Sequence, residues 1–331
     1  MVKQTAAVSF SAVLGQEKAK KILERSLGSS RIAHAYLFRG PDGVGKKLCA
    51  GIVAARINCT GIPQTHGACG ACQSCRKYLS KNHPDVTIIS PDGGTIKIDR
   101  VRELCRSLSY PPYESSMRVV IIEDVHTMRP EAANSLLKTL EEPPENNLLI
   151  LTAGAGRDVL PTITSRCQVV PFYGLSTTHT QQILCRLRPA LEPQEAALLS
   201  RLAEGSPGQA LLFAEAGLVE VSQDVVKTIQ QESTAIPEAI SSLLFVAERL
   251  AALKENLIPL LGLLRIWVRD QMVRDAGGAA DTMRLHEARL AALAMAERQL
   301  ARNCNRALVC EVLLFNLQSP VPGVSFQIPL C

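Results

Sequence analysis

The chain has no uninterrupted apolar run approaching the roughly 18 residues a bilayer crossing requires, and Met1-Val2-Lys3-Gln4-Thr5-Ala6 contains no apolar core of an export signal. These absences argue against a membrane-spanning or exported protein, so a cytosolic one is expected. A strong charge of either sign is also missing. The 36 Lys and Arg against 31 Asp and Glu leave a formal +5, which permits contact with nucleic acid but is met equally by a solvated surface of mixed sign. No segment repeats at a fixed solenoid period.

What is present bounds the answer further. At roughly 150 residues per domain, 331 residues suffice for two or three domains with cores of their own, which excludes a small disulfide-stapled fold. A hydrophobic share of 47% against 20% charged excludes global disorder and a fibrous repeat. There are 11 cysteines, and in a chain without an export signal they are expected as thiols or metal ligands. Cys59, Cys69, Cys72 and Cys75 lie close together, whereas Cys49, Cys105, Cys167, Cys185, Cys304, Cys310 and Cys331 are scattered and expected to be ordinary buried thiols.

From Phe10 to about Pro171, short β-rich runs alternate with helical patterns, predicting an α/β domain over residues 1–172 with a parallel sheet covered by helices on both faces. The strands are Ala35-Tyr36-Leu37-Phe38, Val86-Thr87-Ile88-Ile89, Val119-Val120-Ile121-Ile122 and Leu148-Leu149-Ile150-Leu151-Thr152, with a shorter fifth at Gln168-Val169-Val170. Their continuous apolar character predicts burial on both faces. A helix is expected from Pro130, with Ala133, Leu136, Leu137 and Leu140 as its apolar stripe and Pro143-Pro144 as its stop. Residues 173–218 read as a small domain of short helices broken at Pro189, Pro193 and Gly205-Ser206-Pro207-Gly208. Residues 219–331 read as all-helical, with long patterns over 240–254, 257–274, 283–300 and 303–317 and punctuation at Gly277-Gly278.

Three motifs carry chemistry. Gly40-Pro41-Asp42-Gly43-Val44-Gly45-Lys46 fits G-x-x-x-x-G-K between a strand and a helix predicted over 46–57, the context that separates a phosphate loop from a chance glycine-rich turn. Such a loop turns successive N–H groups toward phosphate oxygens at a helix N-terminus, and its lysine reaches the outer phosphates. The residue after that lysine should be Ser or Thr, to bind Mg²⁺; here it is Lys47. Glu123-Asp124 follows the third strand where an acidic pair belongs, but in an order opposite to the usual Asp-then-Glu, so each carboxylate has the wrong reach by one methylene. Gly40, Gly43, Gly45, Lys46, Lys47, Glu123 and Asp124 form the candidate nucleotide site, where binding can survive and hydrolysis should suffer.

The second motif, Cys59, Cys69, Cys72 and Cys75 in the spacing C-x9-C-x2-C-x2-C, offers four soft ligands for a closed, structural Zn²⁺ site, with His66 the alternative fourth ligand. The third is Ser165-Arg166-Cys167. Alone, Arg166 reads equally as a surface charge or as an arginine that reaches into a neighbour's phosphoryl-transfer site.

These residues together resemble the bacterial clamp-loader AAA+ subunits of DNA polymerase III. The resemblance covers most of the chain: Gly15-Gln16, Arg31-Ile32-Ala33-His34-Ala35-Tyr36-Leu37-Phe38, the phosphate loop, the cysteines, His83-Pro84-Asp85, and Ile98-Asp99 with Val101-Arg102-Glu103-Leu104. Its most specific parts are Asn134-Ser135-Leu136-Leu137-Lys138-Thr139-Leu140-Glu141-Glu142-Pro143-Pro144 and Ser165-Arg166-Cys167. The resemblance implies an AAA+ domain, a small helical lid and a helical collar that joins gamma/tau and delta subunits into a five-membered ring. That ring uses ATP and Mg²⁺ to place a sliding clamp on primer-template DNA, as part of a nucleotidyltransferase holoenzyme in the bacterial cytosol. Arg166 matches the arginine finger such subunits offer to an adjacent motor subunit. Lys47, the inverted Glu123-Asp124 and Gln209, where a nucleotide-facing arginine is expected, depart from the motor pattern. They point to a member with little or no ATPase of its own; an active motor of the gamma/tau kind is the alternative. A gamma/tau chain would be expected to continue past a collar ending near Leu317.

Overall fold

The structure, a computed structural model, describes residues 8–29, 32–62, 67–156, 159–230, 236–275 and 280–318. Of the residues named above, 1–6, Arg31, His66, Gly277, Gly278 and Cys331 lie outside these. The chain divides into two compact units, one of Met1–Ile183 with Glu204–Gly208, the other of Leu184–Ala203 with Gln209–Cys331.

The first unit runs α1 (Glu17–Gly28), β1 (Ala35–Arg39), α2 (Lys46–Ile57), α3 (Gln73–Leu79), β2 (Val86–Ile89), α4 (Ile98–Leu108), β3 (Arg118–Ile122), α5 (Pro130–Glu141), β4 (Asn147–Ala153), α6 (Pro161–Thr164) and β5 (Gln168–Pro171). The strands form one parallel sheet in the order β2-β3-β4-β1-β5, with Leu37 opposite Leu151 and Val120 opposite Leu149. Because side chains alternate along a strand, each central strand feeds two cores. Tyr36, Phe38, Val119, Ile121, Leu148 and Ile150 pack with Leu23, Ile52 and Val53 of α1 and α2. Leu37, Val120, Ile122, Leu149 and Leu151 pack with Val101, Leu104, Leu136 and Leu140 of α4 and α5. Each fully buried Leu or Ile contributes about 1.5–3 kcal/mol relative to exposure.

Burial on both faces holds for the three central strands. It fails at the two edges, where Ile88 of β2 and Val169 of β5, on strands paired on one side only, are exposed. Helix α5 has Pro130 in its first turn, where a missing N–H costs nothing, and stops at Glu141 just before Pro143-Pro144.

The second unit takes in the latter part of α7 (Thr177–Leu187), then α8 (Pro193–Leu202), the body of α9 (Pro207–Glu215), α10 (Leu218–Gln230), α11 (Ile236–Ala252), α12 (Leu257–Arg274), α13 (Ala280–Ala301) and α14 (Arg306–Gln318). The breaks expected at Pro189, Pro193 and Gly205-Ser206-Pro207-Gly208 fall between α7, α8 and α9, with Pro193 and Pro207 as the first residues of the helices that follow. Its core is aliphatic, built from Leu199, Leu218, Val225, Leu250, Leu260, Leu264, Leu293, Leu313 and Leu317. Helix α14 starts three residues later than its periodicity suggests. Asn303 has a left-handed backbone (φ 58), and the Asn305 carboxamide accepts from the Ala307 amide at 3.0 Å, so Asn305 caps the helix. Among the described residues no helix is long and apolar enough to cross a membrane.

Candidate functional site

The phosphate-loop sequence lies where strand β1 gives way to α2. Gly40 follows β1 directly, and a Cβ there would stand 2.3 Å from the carbonyl oxygen of Phe172, so no larger residue fits. Gly43 has a left-handed φ of 73°, and its Cβ would meet the Ser206 Oγ at 2.4 Å. The loop's outer edge is held by residues far away in sequence. Ser206 Oγ donates to the Asp42 carbonyl at 2.6 Å and the Gly208 amide to the Gly43 carbonyl at 3.0 Å. Gln16 Nε2 donates to the carbonyls of Tyr173 (2.6 Å) and Val44 (3.4 Å), while its Oε1 accepts from the Tyr173 amide.

Gly45 is the N-cap of α2 and Lys46 its first residue. The buried Lys46 ammonium donates to the carbonyls of Gly40 (2.6 Å) and Pro41 (2.7 Å) and to Asp42 Oδ1 (3.1 Å). Lys47, on the same first turn, reaches across to the end of β3, with its Nζ 2.6 Å from Glu123 Oε1. The other oxygen of Glu123 accepts from Ser90 Oγ at 2.9 Å. Asp124 has a left-handed backbone (φ 49), and its amide donates to Thr152 Oγ1 at 3.1 Å. Burial, reinforced by the negative charge of Asp42, pushes the Asp124 carboxyl above the usual range.

The structure therefore brings Lys46, Lys47, Glu123 and Asp124 to one end of the sheet. The donor set suits phosphate oxygens, through the α2 N-terminus and two ammonium groups. It does not suit Mg²⁺: the hydroxyl position is an ammonium, which sits 2.6 Å from Glu123 Oε1 in an ion pair that leaves this buried oxygen without a hydrogen bond, while the other oxygen accepts from Ser90. Gln209 lies in the first turn of α9. Thr152, Gln16 and Ser206 join the site although none was placed in it from sequence: Gln16 stood only within the Gly15-Gln16 of the family resemblance, Ser206 only in a helix break, and Thr152 only as a polar residue closing an apolar strand.

Arg166 follows the single turn of α6. Its Nη1 donates to the Thr162 carbonyl at 2.9 Å, and its Nη2 to Glu141 Oε1 at 2.5 Å, at the end of α5. The guanidinium is about a third exposed (34%).

The four cysteines converge. All four Sγ atoms lie within 4.8 Å of one another, and Cys69 and Cys75 are 3.9 Å apart, against about 3.8 Å expected for sulfurs on a tetrahedral ion with 2.3 Å bonds. Amide N–H groups point at the sulfurs: Cys69 N to Cys59 Sγ (3.3 Å), Cys72 N to Cys69 Sγ (3.3 Å) and Cys75 N to Cys72 Sγ (3.4 Å). Burial opposes ionisation of Cys72, but hydrogen bonds from Thr60 and the Cys75 amide outweigh it and bring the thiol down to about 5. The cluster can hold a metal ion, and its donor chemistry fits a thiolate-preferring one.

Helix α3, which the sequence did not announce, begins at the Cys72 cap and carries Cys75. Behind it, His83 Nδ1 accepts from the Asp85 amide at 3.2 Å, which leaves Nε2–H to bond Ser74 Oγ at 3.0 Å. The fully buried Asp85 carboxylate accepts from the amides of Tyr113 (2.6 Å), Glu114 (2.9 Å) and Ser115 (2.9 Å). Burial raises its pKa, but those three amides together more than offset this and hold it below the usual range.

A glycine-rich loop after the strand second from one edge, and an acidic pair after the strand beside the other edge, define an AAA+-type P-loop domain. Residues 15–176 match the family described as "DNA polymerase III, delta subunit". The delta' subunit of DNA polymerase III from Pseudomonas aeruginosa is 36% identical over 223 residues, 65% of this chain and 67% of that protein. The tau subunit from Escherichia coli is 36% identical over 208 residues, 61% of this chain but 32% of that protein, so the match spans only a minor part of the tau chain. A solved gamma subunit-related protein of Thermotoga maritima is 20% identical, with 91% of this chain and 99% of that one covered at a TM-score of 0.44. The chain belongs to the DNA polymerase III clamp-loader subunit family.

Proposed function

We propose that this chain is a delta-prime-type, non-motor subunit of a bacterial clamp loader, which assists ATP-driven loading of a sliding clamp onto primed DNA by offering Arg166 to a neighbouring motor subunit. The observation that carries this reading is the coexistence of an intact Ser165-Arg166-Cys167 turn with a phosphate loop whose metal-hydroxyl position is a lysine paired with Glu123. A chain that cannot organise Mg²⁺ is poorly equipped to hydrolyse ATP, yet an arginine on a rigid turn still neutralises charge on a phosphoryl group transferred next door.

Within this reading residues 1–172 are the AAA+ domain, 173–218 the lid and 219–331 the collar that meets gamma/tau and delta subunits in a hetero-pentameric ring. The cysteine cluster holds a structural Zn²⁺ through Cys59, Cys69, Cys72 and Cys75; with four sulfur ligands it leaves no open position for chemistry. The site of action is the bacterial cytosol, at the replisome.

The test is steady-state ATP hydrolysis by the purified chain, alone and added to a loader lacking only this subunit. Negligible turnover alone, restored turnover in the complex, and a loss on the order of 10³-fold with Arg166→Ala are expected. Substantial turnover by the chain alone, abolished by Lys46→Ala, would instead make it a motor of the gamma/tau kind.

A further inference from the structure

In P-loop proteins the first turn of the loop's helix and the acid at the end of a nearby strand are bridged by a divalent cation, which a Ser or Thr hydroxyl helps to hold. Here that same span is bridged by a side chain. Lys47 extends from the first turn of α2 to Glu123 at 2.6 Å, and Ser90 fixes the other Glu123 oxygen at 2.9 Å. Glu123 is largely buried (13% exposed) while Lys47 is 44% exposed, so the carboxylate is a fixed base and the ammonium the movable partner. Beside it the Lys46 ammonium is held by two neutral carbonyls and the exposed Asp42 carboxylate, acceptors that an incoming phosphate can replace.

We propose that the Lys47 ammonium takes the place of the divalent cation, so that this loop binds a nucleoside polyphosphate as the metal-free anion. Lys46 and Lys47 then face the phosphate chain together with the amides at the α2 N-terminus, the phosphate taking Lys47 from the Glu123 carboxylate that holds it in the free chain. A Mg²⁺ ion carried in with the nucleotide would have to displace the Lys47 ammonium that stands 2.6 Å from the Glu123 oxygen it would need. The proposal rests on residues 40–47 being a phosphate loop and not on Arg166 acting in trans, so the two readings fail separately.

The experiment is equilibrium binding of ATP to the full chain by calorimetry, in excess Mg²⁺ and in excess EDTA. The native chain should bind ATP in EDTA at least as tightly as in Mg²⁺. Lys47→Thr, which restores the hydroxyl, should lose on the order of tenfold or more in EDTA, about 1.4 kcal/mol or more, and recover on adding Mg²⁺. Glu123→Gln, which frees Lys47 while keeping the shape of the side chain, should keep or tighten binding in EDTA. Native binding that requires Mg²⁺, no ATP binding under either condition, Lys47→Thr binding that ignores EDTA, or loss of metal-free binding in Glu123→Gln would each overturn the proposal.

Discussion

Glu141, the last residue of α5, holds the Arg166 guanidinium at 2.5 Å from across the turn that carries it. Both partners are substantially exposed, at 34% and 48%, and such pairs contribute only about 0–1 kcal/mol to stability. A phosphate presented by a neighbouring molecule can therefore take the guanidinium at small cost.

Glu141→Gln should leave the unfolding free energy of the isolated chain within about 1 kcal/mol of native and leave the ATPase of a reconstituted loader unchanged or raised. Arg166→Lys should not rescue the loss caused by Arg166→Ala, because a single ammonium lacks the planar fork. Denaturant titration and steady-state ATPase assays check the two halves.

With the proposed zinc removed, the thiols should prove unequal. The depressed pKa of Cys72, about 5, makes it a thiolate at neutral pH, whereas burial pushes Cys49 up to about 12. After chelation, mass spectrometry of a brief iodoacetamide pulse should find Cys72 alkylated well ahead of Cys49. Metal analysis of Cys69→Ser should show lost zinc with a lowered melting temperature.

Asp85 sets an acid limit. Its folded pKa is depressed, so its contribution is complete above the unfolded carboxyl value of ~3.9 and is lost as pH falls through the lower folded value. Asp85→Ala leaves three amide donors without their carboxylate and should cost about 3 kcal/mol at neutral pH. The gap from native should narrow as pH falls below ~4. Urea midpoints measured across that range check the sign.

Gly43→Ala should destabilise the first unit on two counts. The left-handed backbone costs an alanine about 1–2 kcal/mol, and the new methyl would stand 2.4 Å from the Ser206 Oγ. Because the methyl would also stand 2.9 Å from the Gly208 Cα, and Ser206→Gly gives up the bond to the Asp42 carbonyl, Gly43→Ala combined with Ser206→Gly should recover only a minor part of the loss, which thermal unfolding of the single and double variants will show.

The sheet was legible because β1, β3 and β4 are continuous apolar runs, and α2 and α5 because glycine, proline and helical spacing mark their ends. The four cysteines announced themselves by spacing. Helix α3 escaped because its seven residues, Gln73–Leu79, are too few for a periodic stripe and start from a cysteine cap. The grip of Lys47 on Glu123, of Ser206 on the phosphate loop and of Glu141 on Arg166 joins residues 76, 164 and 25 positions apart, and no local pattern encodes such meetings. Sequence identified the residue types at the candidate site; the packing of the sheet determined which of them touch.

The first unit is not closed by a contiguous stretch of chain. It ends at Ile183 and is completed only by Glu204–Gly208, which supply the Ser206 and Gly208 bonds to the phosphate loop. During synthesis the nascent domain must wait for residue 208 to clear the ribosome before the loop's outer edge can be tied down. A protease nick within 184–203 would leave those bonds dependent on two fragments staying together.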